Sequence, residues 1–298
     1  MRPPSSLALA TPRGGRPPAA RQSRFRGGKL GLSTALLALV LTATAQDEVP
    51  FITTPDAVTL AMLELAGVGP VDQLVDLGSG DGRIVITAAR RFGARGLGVE
   101  IVPALVAKSR DNARRAGVAE RAEFREQDLF TLDLAPFSVV TMYLLPQVNL
   151  QLRDRLLALE PGTRIVSHDW DLGDWQPDRS VVVAAPDKPI GRDKTSTLHL
   201  WVVPARLAGW WCAADVGLVV RQHFQRVAVT MQRRGQPAPA FVFDGRATAR
   251  GLHEGPSPAA AGIVAAVEGE ALRFTRVAGP AAIGFEGVRL RRSAAPCF

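Results

Sequence analysis

The sequence predicts an α/β fold, a mostly parallel sheet with helices on both faces, followed by a small all-β domain. Three observations carry this. Short, nearly continuous apolar runs alternate with helical patterns from Asp47 to Pro204, the signature of a sheet buried on both sides. A glycine-rich turn, "DLGSGDG", joins the first of these strands to a helix. Beyond Pro204 the helical periodicity stops and only short β-rich runs separated by Gly, Pro or Ser follow.

The first 45 of the 298 residues read as an address. They hold seven basic residues and no acid, and end in the uncharged stretch Leu30 to Ala45 with Ala43-Thr44-Ala45 at its close, a small-x-small pattern suited to signal peptidase. As a helix that stretch would span ~24 Å, against the ~30 Å of a hydrocarbon core. A cleaved export signal is the expectation, with a membrane anchor through residues 30–45 and organelle import as alternatives. The leader also accounts for most of the formal charge of +8; the remaining residues carry 29 basic against 28 acidic side chains. A nucleic-acid partner is therefore not expected.

Residues 46–206 form the expected α/β domain. Pro55 opens a helix bearing Val58, Ala61, Met62 and Leu65, with Thr54 as its N-cap. Then come a strand (Gln73–Leu77), a helix (Arg83–Phe92), a strand (Gly96–Glu100), a helix (Pro103–Ala116) and strands at Ala122–Glu126 and Phe137–Tyr143. A helix (Asn149–Leu159), a strand (Thr163–His168) and two runs, Ser180–Ala185 and Ser196–Val203, complete it. No helix separates the last two, which predicts an antiparallel hairpin at the sheet edge. Residues 207–298 form the expected barrel or sandwich, interrupted by a loop at Gly255–Gly262. Cys212 and Cys297, the only cysteines, would pair in an oxidising compartment or remain two thiols. Neither has the neighbours of a metal site, and no metal is expected.

Gly78-Ser79-Gly80-Asp81-Gly82 is G-x-G-x-G, not the G-x-G-x-x-G of dinucleotide folds. With Asp76 before it and Asp81 inside it, the turn suits a cation or a ribose hydroxyl better than a pyrophosphate. Glu100 closes the next strand and Asp128 follows the third, so three acids stand at the carboxyl ends of three successive strands, where open α/β sheets bind ligands. Taken singly, Asp76 reads equally as a turn residue, Glu100 as a solvated charge and Asp128 as an N-cap.

"VDLGSGDGRI" resembles the first motif of the class I, seven-strand S-adenosylmethionine (SAM) methyltransferases. The resemblance implies a Rossmann-like sheet and SAM as cofactor. It also implies a ribose held by Glu100, an adenine near Asp128 and Leu129, and a methionine moiety along Asp76, Gly78, Ser79, Gly80, Asp81 and Gly82. Over residues 48–203 the chain is also similar to a group of small protein-lysine methyltransferases with an N-terminal apolar segment, and to their bacterial relatives. In that group Val-Pro-x-x-x-Thr-Pro folds over the cofactor, which places Thr53, Thr54 and Pro55 at the methionine end. Their acceptor channel is lined by the segment matched here by Tyr143-Leu144-Leu145-Pro146, so Tyr143 and Pro146 are the candidate catalytic pair.

The implied reaction is methyl transfer to an amine, most simply a lysine of a protein partner. Tyr143 could orient the amine or pack on the adenosyl group, and His168 could serve an oxygen acceptor as base or be structural. Asp169 and Asp171 read as a solvated loop edge. Rival readings are methylation of a lipid headgroup or quinone-type small molecule, and a non-catalytic binding module on a degenerate fold. "GWWC" at Gly209 resembles the Gly-x-Trp start of ligand-binding barrels and equally reads as core. An export signal and a cytosolic cofactor pull against each other, and the oligomeric state is open.

Overall fold

A computed structural model describes residues 52–189, 191–257, 261–278 and 284–298. The leader read over residues 1–45 lies outside the described residues, as do Phe51 and part of the loop expected at Gly255–Gly262.

The first half is a seven-stranded sheet. Its elements in chain order are α1 (Asp56–Leu65), β1 (Gln73–Leu77), α2 (Arg83–Phe92), β2 (Arg95–Glu100), α3 (Pro103–Arg115) and β3 (Ala122–Glu126). They are followed by β4 (Val139–Met142), α4 (Pro146–Leu157), β5 (Arg164–His168), β6 (Arg179–Ala184) and β7 (Thr195–Val202). The strand order is β3-β2-β1-β4-β5-β7-β6. The first five strands are parallel, while β7 runs antiparallel to β5 and to β6. Chain order reverses between β1 and β4, and that switch point opens a crevice at the strands' carboxyl ends.

Period-two alternation assigns the faces. Leu74, Val139 and Val166 pack under α1, α2 and α3. Val75, Leu77, Val140 and Met142 turn to the other face, where α4 contributes Leu152 and Leu156 and two tryptophans, Trp175 and Trp201, complete the layer. No helix joins β3 to β4. A groove of about 780 Å³ is left near the strands' amino ends, lined by Arg95, Leu97, Glu123 and Phe137 among others. It runs along β3 as far as Gln127.

The second half is a closed antiparallel barrel. Its strands are β8 (Gly209–Cys212), β9 (Val216–His223), β10 (Arg226–Arg233), β11 (Phe241–Thr248), β12 (Gly251–Glu254), β13 (Ile263–Glu268), β14 (Ala271–Val277) and β15 (Arg289–Ser293). They close in the order β10-β11-β12-β13-β14-β15-β8-β9. Side chains fill the interior: Trp211, Leu218, Val229, Met231, Phe243, Leu272, Phe274 and Leu290 are buried together. The Gly-x-Trp reading as an entrance to a ligand cavity does not survive this packing. Trp211 points inward with its indole N–H donated to Leu207 O at 2.8 Å, and Trp210 remains partly exposed. Cys212 and Cys297 form a disulfide that ties β8 to the chain's last residues.

Candidate active site

The glycine turn is built by close approach. Gly78 and Ser79 donate their N–H groups to Val99 O, at 3.0 and 2.9 Å, which folds the turn over the end of β2. Gly78 has φ +74°, and a Cβ there would lie 2.9 Å from Leu144 Cδ2. The turn therefore faces the segment that follows β4. Gly82 is different: it is buried, with φ +82°, and a Cβ would fall 2.6 Å from the Phe124 ring. Its place is in the packing between α2 and β3, behind the crevice.

The three acids stand as the sequence placed them, in three environments. Asp76 is 3% exposed and accepts a 2.7 Å hydrogen bond from the Thr141 hydroxyl. Burial, reinforced by the charges of Glu100 and Asp81 and opposed by that hydrogen bond, pushes its carboxyl up to about 7. Glu100 is locked at the rim, accepting from Gly80 N at 3.0 Å, Ile101 N at 2.9 Å and Val102 N at 3.1 Å. Asp128 is exposed and accepts from Phe130 N at 2.8 Å. It shapes a turn and caps no helix, and it presents Leu129, half-buried, beside it.

Asp81 does not face the crevice as a free charge. Both its oxygens hold Arg83, at 3.0 and 2.7 Å, which keeps its carboxyl below the ordinary range despite burial. Arg83 reaches on to Thr54 O at 2.7 Å, fastening the segment before α1 to the glycine turn. Ser79 is buried with its hydroxyl lacking a hydrogen-bond partner, and a Cβ on Gly98 would lie 2.6 Å from that oxygen, so it points back at β2.

Thr54 does not cap α1 as expected. The cap position falls on Pro55, with no side-chain hydrogen bond, and the Thr54 hydroxyl sits 3.3 Å from His168 Nδ1. His168 is fully buried, with Nε2 2.8 Å from the Ser196 hydroxyl and its ring stacked on Tyr143 at 3.9 Å. Desolvation drives its pKa down to about 4, so it is neutral and both ring nitrogens have partners. That is a positioning environment and leaves no atom of His168 for a base. Tyr143 follows β4, and burial, then the negative charge of Asp169 and a hydrogen bond to it, raise its phenol above the ordinary value. Pro146 occupies the first turn of α4, which begins three residues before the sequence suggested, because proline's fixed φ favours a helix start.

Asp169 was missed as a site residue. Asp171 is exposed as read, but Asp169 is pulled in beside His168 and Tyr143 with φ +64°. Asn149 was missed too: fully buried on α4, its amide donates to Ser167 Oγ, Trp170 O and Asp171 O. It fixes the backbone after β5.

Comparison with known proteins fits this geometry. The ANTKMT methyltransferase domain matches residues 76–179. A protein-lysine N-methyltransferase of Saccharolobus islandicus is 41% identical over 137 residues, which is 45% of this chain and 85% of that one. The chain belongs to the protein-lysine N-methyltransferase family. The adenine nucleotide translocase lysine N-methyltransferase of Mus musculus is 41% identical over 111 residues, 37% of this chain and 48% of its own length. The methyltransferase thus spans less than half of that relative. A crystal structure of an RNA methyltransferase from Salinibacter ruber with S-adenosyl-L-homocysteine shares 51% identity over 52% of this chain and 95% of its own, with a TM-score of 0.48.

The cofactor of the methyltransferase is SAM, and the crevice residues fit it. The turn offers backbone at close range where a Cβ at Gly78 would intrude on Leu144. The side chains at the three strand ends are carboxylates, and the guanidinium of Arg83 is held by Asp81 and Thr54. Bound there, SAM supplies an electrophilic methyl on a sulfonium, and the protein's task is alignment and exclusion of water.

Proposed function

We propose that the methyltransferase modifies the side-chain amine of lysine in a protein acceptor. Glu100, Asp128 and Leu129 hold the adenosine end of SAM, and Asp76 with the Gly78–Gly80 backbone holds the methionine end. Tyr143 to Pro146 frame the acceptor. The observation that carries the reading is the 41% identity to a protein-lysine methyltransferase across 85% of its length. The buried, neutral His168 supports it, since with both ring nitrogens partnered it is not free to serve as the base an oxygen acceptor would call for. A lysine amine needs no dedicated base: losing its proton at pH 7 costs about 4.6 kcal/mol from a pKa near 10.4, and burial beside a sulfonium reduces that.

Incubation with methyl-labelled SAM and an envelope extract, separated into protein, lipid and RNA fractions, tests it. Label in protein, recovered after hydrolysis as methyl-lysine, is expected. Label confined to lipid or RNA overturns the lysine reading, and loss of SAM binding in Glu100→Ala but not Ser79→Ala supports the cofactor contacts. The disulfide between Cys212 and Cys297 and the acid-free leader support a place in an oxidising compartment outside the cytosol.

A further inference from the structure

We propose that Asp169 is the carboxylate that receives the acceptor lysine as its ammonium ion, and that Lys188 of this chain occupies Asp169 as an internal surrogate which an acceptor must displace. The inference rests on the lysine reading above and names a recognition group and a competitor for that site.

Asp169 occupies a costly position. A non-glycine residue in the left-handed region is strained and persists only when its surroundings hold it there. Here the hold is visible: Asp169 N donates to Thr197 O at 2.7 Å, and Asp169 Oδ1 accepts from Thr197 N at 3.0 Å. The second oxygen, Oδ2, is not used in that hold and lies 3.5 Å from His168 Nε2. Its place is one ring from the methyl-transfer crevice, because Asp169 is in contact with Tyr143, whose neighbour Leu144 abuts the Gly78 turn.

That second oxygen is already paired with a lysine. Lys188 Nζ lies 2.7 Å from Asp169 Oδ2 and donates to Thr195 O at 2.9 Å. The Lys188 side chain is only 14% exposed and that of Asp169 18%. Lysine is rarely so covered unless its ammonium is paired, and ordering its long stem costs side-chain entropy. The loop between β6 and β7 thus delivers to the acceptor mouth the functional group that an acceptor lysine would bring, on the same partners. A carboxylate holds an ammonium in its charged form, so Asp169 serves docking, before the proton is lost. Tyr143, kept protonated by burial and by the same carboxylate, flanks the docked amine. Asp169 is accordingly a positioning residue.

The test uses the full chain with poly-L-lysine as acceptor probe. SAM affinity is measured separately by calorimetry. Lysine acetylation footprinting, read by mass spectrometry on protein without cofactor, reports whether Lys188 is covered. Lys188→Met removes the competing charge and is expected to lower KM for the probe about fivefold, since an internal occupant reduces the competent fraction. Asp169→Asn keeps a residue that tolerates the left-handed backbone and is expected to raise KM tenfold or more while exposing Lys188 to acetylation. Asp169→Glu is expected to recover part of the loss. An unchanged KM in Lys188→Met, or Lys188 as slow to acetylate in Asp169→Asn as in the wild type, overturns the proposal. Absence of SAM binding in the wild type would instead sink the functional reading on which it rests.

Discussion

Asp76 and His168 are buried titratable side chains whose environments push in opposite directions. His168 has a folded pKa of about 4 against an ordinary 6.5. Its contribution to stability is present above pH 6.5 and is lost as pH falls towards 4. Asp76 has a folded pKa of about 7 against an ordinary 3.8. Its contribution is present below pH 3.8 and is lost as pH rises through 7. Between pH 7 and 5 each shifts the folding free energy by about 2 kcal/mol, with opposite signs, so the wild type shows little net slope from the pair. Asp76→Asn, which can still accept from Thr141, is expected to lose stability on going from pH 7 to 5. His168→Asn is expected to gain it. Urea midpoints at the two pH values measure both, and wild-type-like slopes in both variants would refute the buried environments.

At the scale of elements, two glycines of one turn do different work. A Cβ on Gly82 would meet the Phe124 ring and Ser109 within 2.8 Å, inside a packed layer. Gly82→Ala is expected to cost about 2–4 kcal/mol, combining the left-handed backbone with overpacking. A Cβ on Gly78 would meet the tip of Leu144, and the residue is exposed, so Gly78→Ala is expected to weaken SAM binding more than it lowers stability. Calorimetric SAM titration beside urea unfolding separates the two; a stability loss under about 1 kcal/mol for Gly82→Ala contradicts the packing account. Much of this layer was legible in sequence because local pattern encodes it: α2 and β3 begin and end where periodicity put them, and the β6–β7 hairpin lies at the edge. What escaped depends on contacts between distant segments. Thr54 has the chemistry of a cap, but His168 takes its hydroxyl from 114 residues away. Asp169 looks like any acid in a polar loop until its backbone angle and Lys188 are seen. The short β12 escaped because four residues, GLHE, carry too little alternation.

The whole molecule joins sheet and barrel at the loop that follows β5 and leaves the proposed acceptor mouth. From Asp169 the chain runs to Trp175, fully buried, whose ring stacks on Phe224 of the β9–β10 turn at 5.9 Å and 12°. Gln225 donates to Gln176 O at 2.5 Å, and Arg246 of β11 pairs with Asp178 at 2.7 Å. The opposite charges of the two halves, 18 basic against 22 acidic residues in 46–206 and 11 against 6 in 207–298, have the sign these contacts need. Phe224 is, with Asp169, one of the non-glycine residues held at positive φ among the described residues, so strained backbone stands at the start of this loop and at its barrel support. The barrel, its interior filled, therefore acts through its outer surface, holding the segment from Asp169 to Asp178 against the sheet. Removing the stacked ring in Phe224→Ala should forfeit about 0.5–1.5 kcal/mol of aromatic pairing. If that energy fixes the proposed acceptor mouth, kcat/KM for poly-L-lysine falls roughly two- to tenfold, while SAM affinity, which we assign to the glycine turn, changes less than about twofold. Amide exchange across residues 169–178 should quicken in the same variant. Exchange at the wild-type rate there, or an equal loss of SAM binding, would mean that the barrel contributes bulk stability and does not position the acceptor side of the crevice.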